Sequence, residues 1–347
     1  MNPEDLLDER QREVLRAIVQ EYIVTGGPIG SSQLAKRAEF DVSSATMRNV
    51  MADLEELGFL EKPHTSAGRV PTDRGYRFFV DTMMRVREPP PRDRELIQQN
   101  LVVSPGIDET LEEASKVLHF ITRHAGVVVT RPSATIFARI DLVKLRDNRV
   151  LAVLVTTNGQ VLNKVFTVDF SVTSEELVRA GNYLNELLGN APLEEIRARI
   201  QAELERERTL YDELVRKALA LAQAATDIPK SERLLIEGTG SFLDAPEFSD
   251  VEKARALFKA LEEKTKLLDL LDRVQRAKEM LIFIGSESDF SAAPEVSVIA
   301  SPYAGQGGVL GAVGVIGPTR MNYQRVIPLV NFTAQVLSRV FRGGGGD

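Results

Sequence analysis

Three consecutive prolines, Pro89-Pro90-Pro91, split the 347-residue chain after its first quarter. Each proline fixes φ and removes a backbone donor, so neither a helix nor a central strand runs through them. With Glu88 before them they mark a domain boundary, with a first unit at 1–88 and a linker at 89–103.

The first unit reads as short helices separated by turns. Leu7, Val14, Leu15, Ile18, Val19, Tyr22 and Ile23 recur at helical spacing over 5–25, and Gly26-Gly27 stops the run. Ser31 is placed to cap a short helix over SSQLAKRA, and Ser43 to cap a third that runs to Gly58 with Val50, Leu54 and Leu57 inward. FLEK then reads as a strand, and Thr72 as the cap of a fourth helix carrying Tyr76, Phe79, Val80 and Met83. Between them lies HTSAGRVPTDRGYRFFV, which with Lys62 holds four basic residues, Lys62, Arg69, Arg74 and Arg77, against Asp73 alone.

Three helices, a strand and a basic, Gly-bearing loop describe a winged helix-turn-helix. A reading helix must enter the major groove with its N-terminal residues at base edges. Ser43, Ser44 and Thr46 supply hydroxyls there, Arg48 a fork for guanine and Asn49 a partner for adenine. Ser31, Ser32, Lys36 and Arg37 on the preceding helix, and Lys62, His64, Thr65, Ser66, Arg69 and Arg74 on the wing, are expected at the DNA backbone, His64 and Arg69 there or in an adjacent minor groove, with Gly68 permitting a bend. Helical bundles that never meet DNA share the same pattern, and residues 1–87 carry 12 basic and 14 acidic side chains. Charge segregation favours DNA: the acids collect in the first helix and in DLEELGFLE, away from the wing.

Beyond the prolines the period changes twice. Residues 106–124 read as helix, followed by strands VVVT, ARIDLVKL, RVLAVLVTT and QVLNKVFTV, the last two joined at Asn158-Gly159. A Thr173/Glu176 capping box opens a helix to Gly189, and Pro192 opens a long amphipathic one to about 225. Another runs from a Ser249/Glu252 box to about 277, after which strands MLIFIG, VSVIASPY and GAVGVIG precede a last helix near Pro328. Strands, helices, then strands again imply an α+β domain interrupted by a mainly helical insertion, with halves at 104–171 and 275–342, the insertion at 172–274 and a disordered tail at 343–347. Leu193, Ile196, Ile200, Leu204, Tyr211, Leu214 and Ala218 line one side of the long helix, which fits either packing on its own domain or a dimer surface.

Several chemistries are disfavoured. The absence of cysteine excludes disulfides, thiol catalysis and thiolate metal sites. His119 and His124, five apart, diverge on a helix, and no serine has a His and acid at recognisable spacing, so no catalytic residue, metal or cofactor is expected. Gly308, Gly311, Gly314 and Gly317 match neither a P-loop nor a dinucleotide fingerprint and read as close packing along a strand. An acidic N-terminus without a signal peptide, and no apolar run of membrane-spanning length, read as cytoplasmic with no membrane partner.

The runs LLDERQREVLRAIVQEYIVTGGPIGSSQLAK, VSSATMRNVMADLEELGFLEKPHTSAGRVPTDRGYRFFVD and GAVGVIGPTRMNYQRVIPLV resemble the HrcA family of bacterial heat-inducible transcription repressors. That resemblance implies a winged helix, a GAF-like domain and a dimerising domain inserted into it. It also implies repression of chaperone operons of the groE and dnaK type, through a homodimer on the inverted-repeat CIRCE operator, with activity dependent on the GroE chaperonin. A GAF-like domain raises small-molecule sensing as an alternative.

Overall fold

The computed structural model describes residues 6–343 apart from short gaps at 38–39, 41, 65–66, 85–86, 103–106, 131–136, 157–160, 263, 289–293 and 306–307, and apart from 189–232, where only scattered positions are described. Thr65, Ser66, Asn158-Gly159, most of the long helix from Pro192 and the tail at 344–347 lie outside the described residues.

Helix α1, Glu9–Thr25, starts later than its periodicity suggests because Asp8 caps it in a reciprocal box with Gln11, and Gly26 at φ 67 ends it. Helix α2 is only Ser31–Leu34; Gly30 holds its N-cap position and Ser31 caps nothing. Helix α3, Ser44–Glu56, is capped as expected by Ser43, whose Oγ accepts the Thr46 amide at 3.1 Å. Its buried stripe is Met47, Met51 and Leu54, whereas Leu57 stays 40% exposed. Strands β1, Leu60–Glu61, and β2, Val70–Pro71, pair antiparallel, and Thr72 caps α4, Asp73–Phe78, which unwinds into a π turn through Met83.

The expected linker at 89–103 is mostly a helix. Pro91 opens α5, Pro91–Val102, where its missing donor costs nothing, and Ile97 and Leu101 are fully buried. After α6, Ile107–Thr122, and β3, Ala125–Thr130, an antiparallel five-stranded sheet forms in the order β7-β3-β10-β9-β8. Its other strands are β7, Arg233–Glu237; β8, Leu281–Phe283; β9, Val296–Gly305; and β10, Gly308–Pro318. Alternation splits it cleanly. Val128, Ile299, Val313 and Val315 face α5, α6 and the last helix, α10, Tyr323–Phe341, which holds Pro328 inside it. Val127, Val129, Val298, Ala300 and Ala312 face α8, Val251–Glu262, and α9, Lys264–Ala277.

The pairing regroups two stretches of the sequence. Strands β4, Phe137–Lys144, β5, Arg149–Thr156, and β6, Val161–Thr167, were expected with the 104–171 half-domain, yet they form a separate three-stranded sheet. It packs with α7, Ser174–Leu188, around Ile140, Val150, Ala152, Leu154, Leu177 and Leu184. Conversely β7, α8 and α9, expected in the 172–274 insertion, complete the five-stranded sheet and its covering layer. The Thr173/Glu176 box forms, with amide donors at 2.7 and 3.2 Å, but the Ser249/Glu252 box does not, because Asp250 takes the Glu252 amide at 2.8 Å.

Strand glycines pack as expected. A Cβ on Gly311 would overlap the Val129 carbonyl, and one on Gly314 the Ile299 carbonyl. The ring of His124 lies over Gly317. Burial, with Arg320 and His119 adding to it, pushes this imidazole down to about 4. The folded state thus holds His124 neutral while the unfolded chain protonates it near pH 6.5. Stability is expected to fall between pH 6.5 and 4, by at most about 1.4 kcal/mol per unit from this group. His124→Gln should flatten that limb in a urea-midpoint series against pH; an unaltered acid limb would assign the loss elsewhere.

Candidate nucleic-acid interface

The two faces of α3 differ sharply. Met47, Met51 and Leu54 bury one face against the other head helices, which fixes the opposite face outward. On that face Ser43, Ser44, Ala45, Arg48 and Asn49 are exposed and Thr46 is half-buried. The side chains of Arg48 and Asn49 make no hydrogen bond or ion pair with described residues, so their donors are free for a ligand. The hydroxyls of Ser43 and Thr46 are partly committed, lying 3.0 Å apart while Ser43 caps the helix. Small residues at 43–46 leave the helix N-terminus unobstructed, and its dipole favours a phosphate there.

On α2 Ser32 is exposed and Ser31 half-buried; in the turn after it Lys36 is exposed and Arg37 is drawn back to Glu21 of α1 at 3.5 Å. The β1–β2 hairpin is where the geometry departs most from expectation. Arg69, only 12% exposed, forks onto Glu55 of α3, with Nε and Nη2 at 3.1 and 2.9 Å from Oε2. Lys62 reaches the same carboxylate at 3.3 Å. Arg74 donates to the Leu57 carbonyl at 2.9 Å and stacks 4.7 Å above the Phe59 ring. Arg69 and Arg74 therefore bind the hairpin and α4 to the end of α3, Arg69 largely enclosed and Arg74 exposed. Most of the basic segment neutralises the head's own acids and carbonyls. His64 is exposed at the hairpin tip.

Gly68 serves close approach rather than a bend: a Cβ would overlap the Ile29 carbonyl across the Ile29–Arg69 bridge. Gly75 does the same for α4 against the Phe59 carbonyl. Sequence reading missed Glu55, whose signal is faint: an acid in the last turn of α3, within reach of basic residues beyond the strand.

Residues 108–327 match the family model described as HrcA protein C terminal domain. A protein of Anaeromyxobacter sp. (strain K), "Heat-inducible transcription repressor HrcA", is 49% identical over 340 residues, covering 96% of each chain. The chain belongs to the HrcA family. A like-named protein of Geobacter sulfurreducens is 44% identical over 339 residues, covering 97% of this chain and 99% of its own. A crystal structure of a hypothetical protein shares the fold at a TM-score of 0.60 and 22% identity, covering 97% of this chain and 99% of that one. The HrcA relatives are named transcription repressors, a class of regulators and not of enzymes, in line with the reading that expected no catalysis. Among the described residues of this HrcA-family chain, no helix is long and apolar enough to cross a membrane.

Proposed function

We propose that this chain represses heat-shock chaperone operons of the groE and dnaK type by binding an inverted-repeat CIRCE operator as a homodimer, with GroE chaperonin sustaining its active form. The observation that carries the reading is the face of α3, where Arg48 and Asn49 stand exposed beside small residues and without partners among the described residues. In this reading residues 1–88 are a winged helix, with β1 and β2 as the wing and α3 in the major groove. The core, GAF-like in the reading, takes in residues 89–136 and 233–343, and the dimerising insertion lies between them. Base reading falls to Ser44, Arg48 and Asn49, with Ser43 and Thr46 chiefly shaping the helix start. Backbone contact falls to Ser31, Ser32, Lys36, Lys62 and His64, and by their place in the sequence to Thr65 and Ser66.

The chaperone link is regulatory. Heat shifts the repressor toward a non-binding state, chaperonin reverses the shift, and misfolded clients that occupy the chaperonin release the genes. Gel shift against an inverted-repeat operator and a scrambled duplex, with and without chaperonin, tests both parts. Equal retardation of the two duplexes would refute sequence reading, and no response to chaperonin would refute the regulatory half. A phosphate contact has its own signature: Lys36→Ala should lower the slope of log affinity against log salt by about 0.9 on specific and random DNA alike. An unchanged slope would remove Lys36 from the interface.

A second reading, small-molecule sensing, is favoured by one feature. A cavity of about 390 Å³ opens between the end of α1 and the core, lined by Ile23, Arg123, His124, Phe242, Arg320 and Met321. Calorimetric titration with nucleotides and metabolites tests it, saturable micromolar heat being the supporting result.

A further inference from the structure

The winged head does not hang from a tether. Two polar clamps fasten it to the five-stranded core. At the start of α4, Asp73 accepts both the amide and the hydroxyl of Ser286, at 2.9 and 2.8 Å. One turn later Arg77 forks onto Glu287, its Nε 3.0 Å from Oε1, and also donates to the Ile282 carbonyl. The fit is tight: Gly285, at φ 53, sits where any Cβ would overlap the Asp73 carboxylate. At the end of α1, Arg320 pairs with Glu247 and donates to the Ile23 carbonyl at 3.2 Å, its guanidinium lying against Gly26.

Between the clamps one apolar cluster runs without a break from Leu15 and Phe79 of the head to Tyr323 and Leu329 of α10, and the Tyr76 and Tyr323 rings lie 5.9 Å apart. The connection after the prolines is rigid too, because α5 is packed on α6 and α10 through Ile97 and Leu101. Charge-assisted, forked bonds of this kind fix angle as well as distance.

We propose that this junction is the ruler for the operator. Asp73 and Arg77 of the head, with Glu247, Ser286, Glu287 and Arg320 of the core, are positioning residues that fix where each copy holds its α3. They thereby select the spacer between half-sites. The proposal rests on the DNA-reading dimer put forward above. Its physical basis is helical phase: half-sites sit on one face of a duplex that repeats every 10–10.5 base pairs, so each inserted pair turns one half-site by about 35° relative to the other. Heads on flexible linkers absorb such a change, because linked modules search a volume. Heads clamped at two points do not.

The test uses full-length protein, wild type and the Glu287→Ala/Arg320→Ala double variant. Each is titrated with a single half-site, the native operator, and operators whose spacer is lengthened by one, two and five base pairs. Wild type should lose roughly tenfold or more by two inserted pairs. The double variant should keep its half-site affinity within about twofold, bind the native operator roughly tenfold less tightly, and show a flatter spacer profile. A wild-type profile that is already flat overturns the ruler without any variant, and so does a double variant with the wild-type profile. Failure of wild type to prefer a half-site over scrambled DNA is a different result, and it sinks the DNA reading together with the ruler.

Discussion

Replacing Arg48 with alanine is expected to weaken operator binding by about 1–3 kcal/mol, roughly 5- to 150-fold, while affinity for random duplex falls much less. Asn49→Ala should behave likewise at a different base pair. The expectation follows from the environment of the two side chains. Both leave α3 outside its buried stripe of Met47, Met51 and Leu54, both are exposed, and neither is held by described residues. Removing them leaves no buried group unpaired, so the fold should be unaffected and thermal midpoints should match wild type. Discrimination is the quantity to measure, as the ratio of specific to random affinity at one fixed salt concentration. Equal losses on both duplexes would mean that these side chains touch only the backbone, and α3 would not be the reader.

Glu55→Ala should destabilise the chain by about 2–4 kcal/mol, somewhat below the loss for breaking a fully enclosed pair because the carboxylate itself is 30% exposed. Its carboxylate is the common anchor of Arg69 and Lys62, so truncation strands the Arg69 guanidinium, 12% exposed, without its partner. The hairpin then loses its attachment to the end of α3. Glu55→Gln, which keeps a hydrogen-bond acceptor for Arg69, should recover part of the loss. Denaturant midpoints and amide exchange across 60–71 provide the readout. Hairpin amides as protected in Glu55→Ala as in wild type would show that the Ile29–Arg69 bridge and Gly68 packing hold the hairpin alone.

Local signals in the sequence proved sound where a single segment decides the outcome. Ser43 and Thr72 cap the helices they precede, Gly26 ends α1, and the Thr173/Glu176 box forms, because each needs only a few neighbouring residues. Where competing caps stood side by side, the choice was not legible: Asp250 displaced Ser249, and Gly30 took the place expected of Ser31. The prolines were a stop for what precedes them but also a start for α5, since a missing donor is harmless in a first turn.

By itself, the sequence determined the mixed helix and strand content, the alternating strands, the close-packed glycines of β10 and, through its motifs, the family. Only the tertiary structure decided which strands share a sheet, moving β4–β6 out of the core and β7 into it. It also decided what the basic segment touches, binding Arg69 to Glu55, Arg74 to the Leu57 carbonyl and Arg77 to Glu287. The reason is range. Periodicity, caps and turns are written in a few adjacent residues, whereas a strand's neighbour and a cation's partner are chosen among groups far along the chain, which only packing brings together.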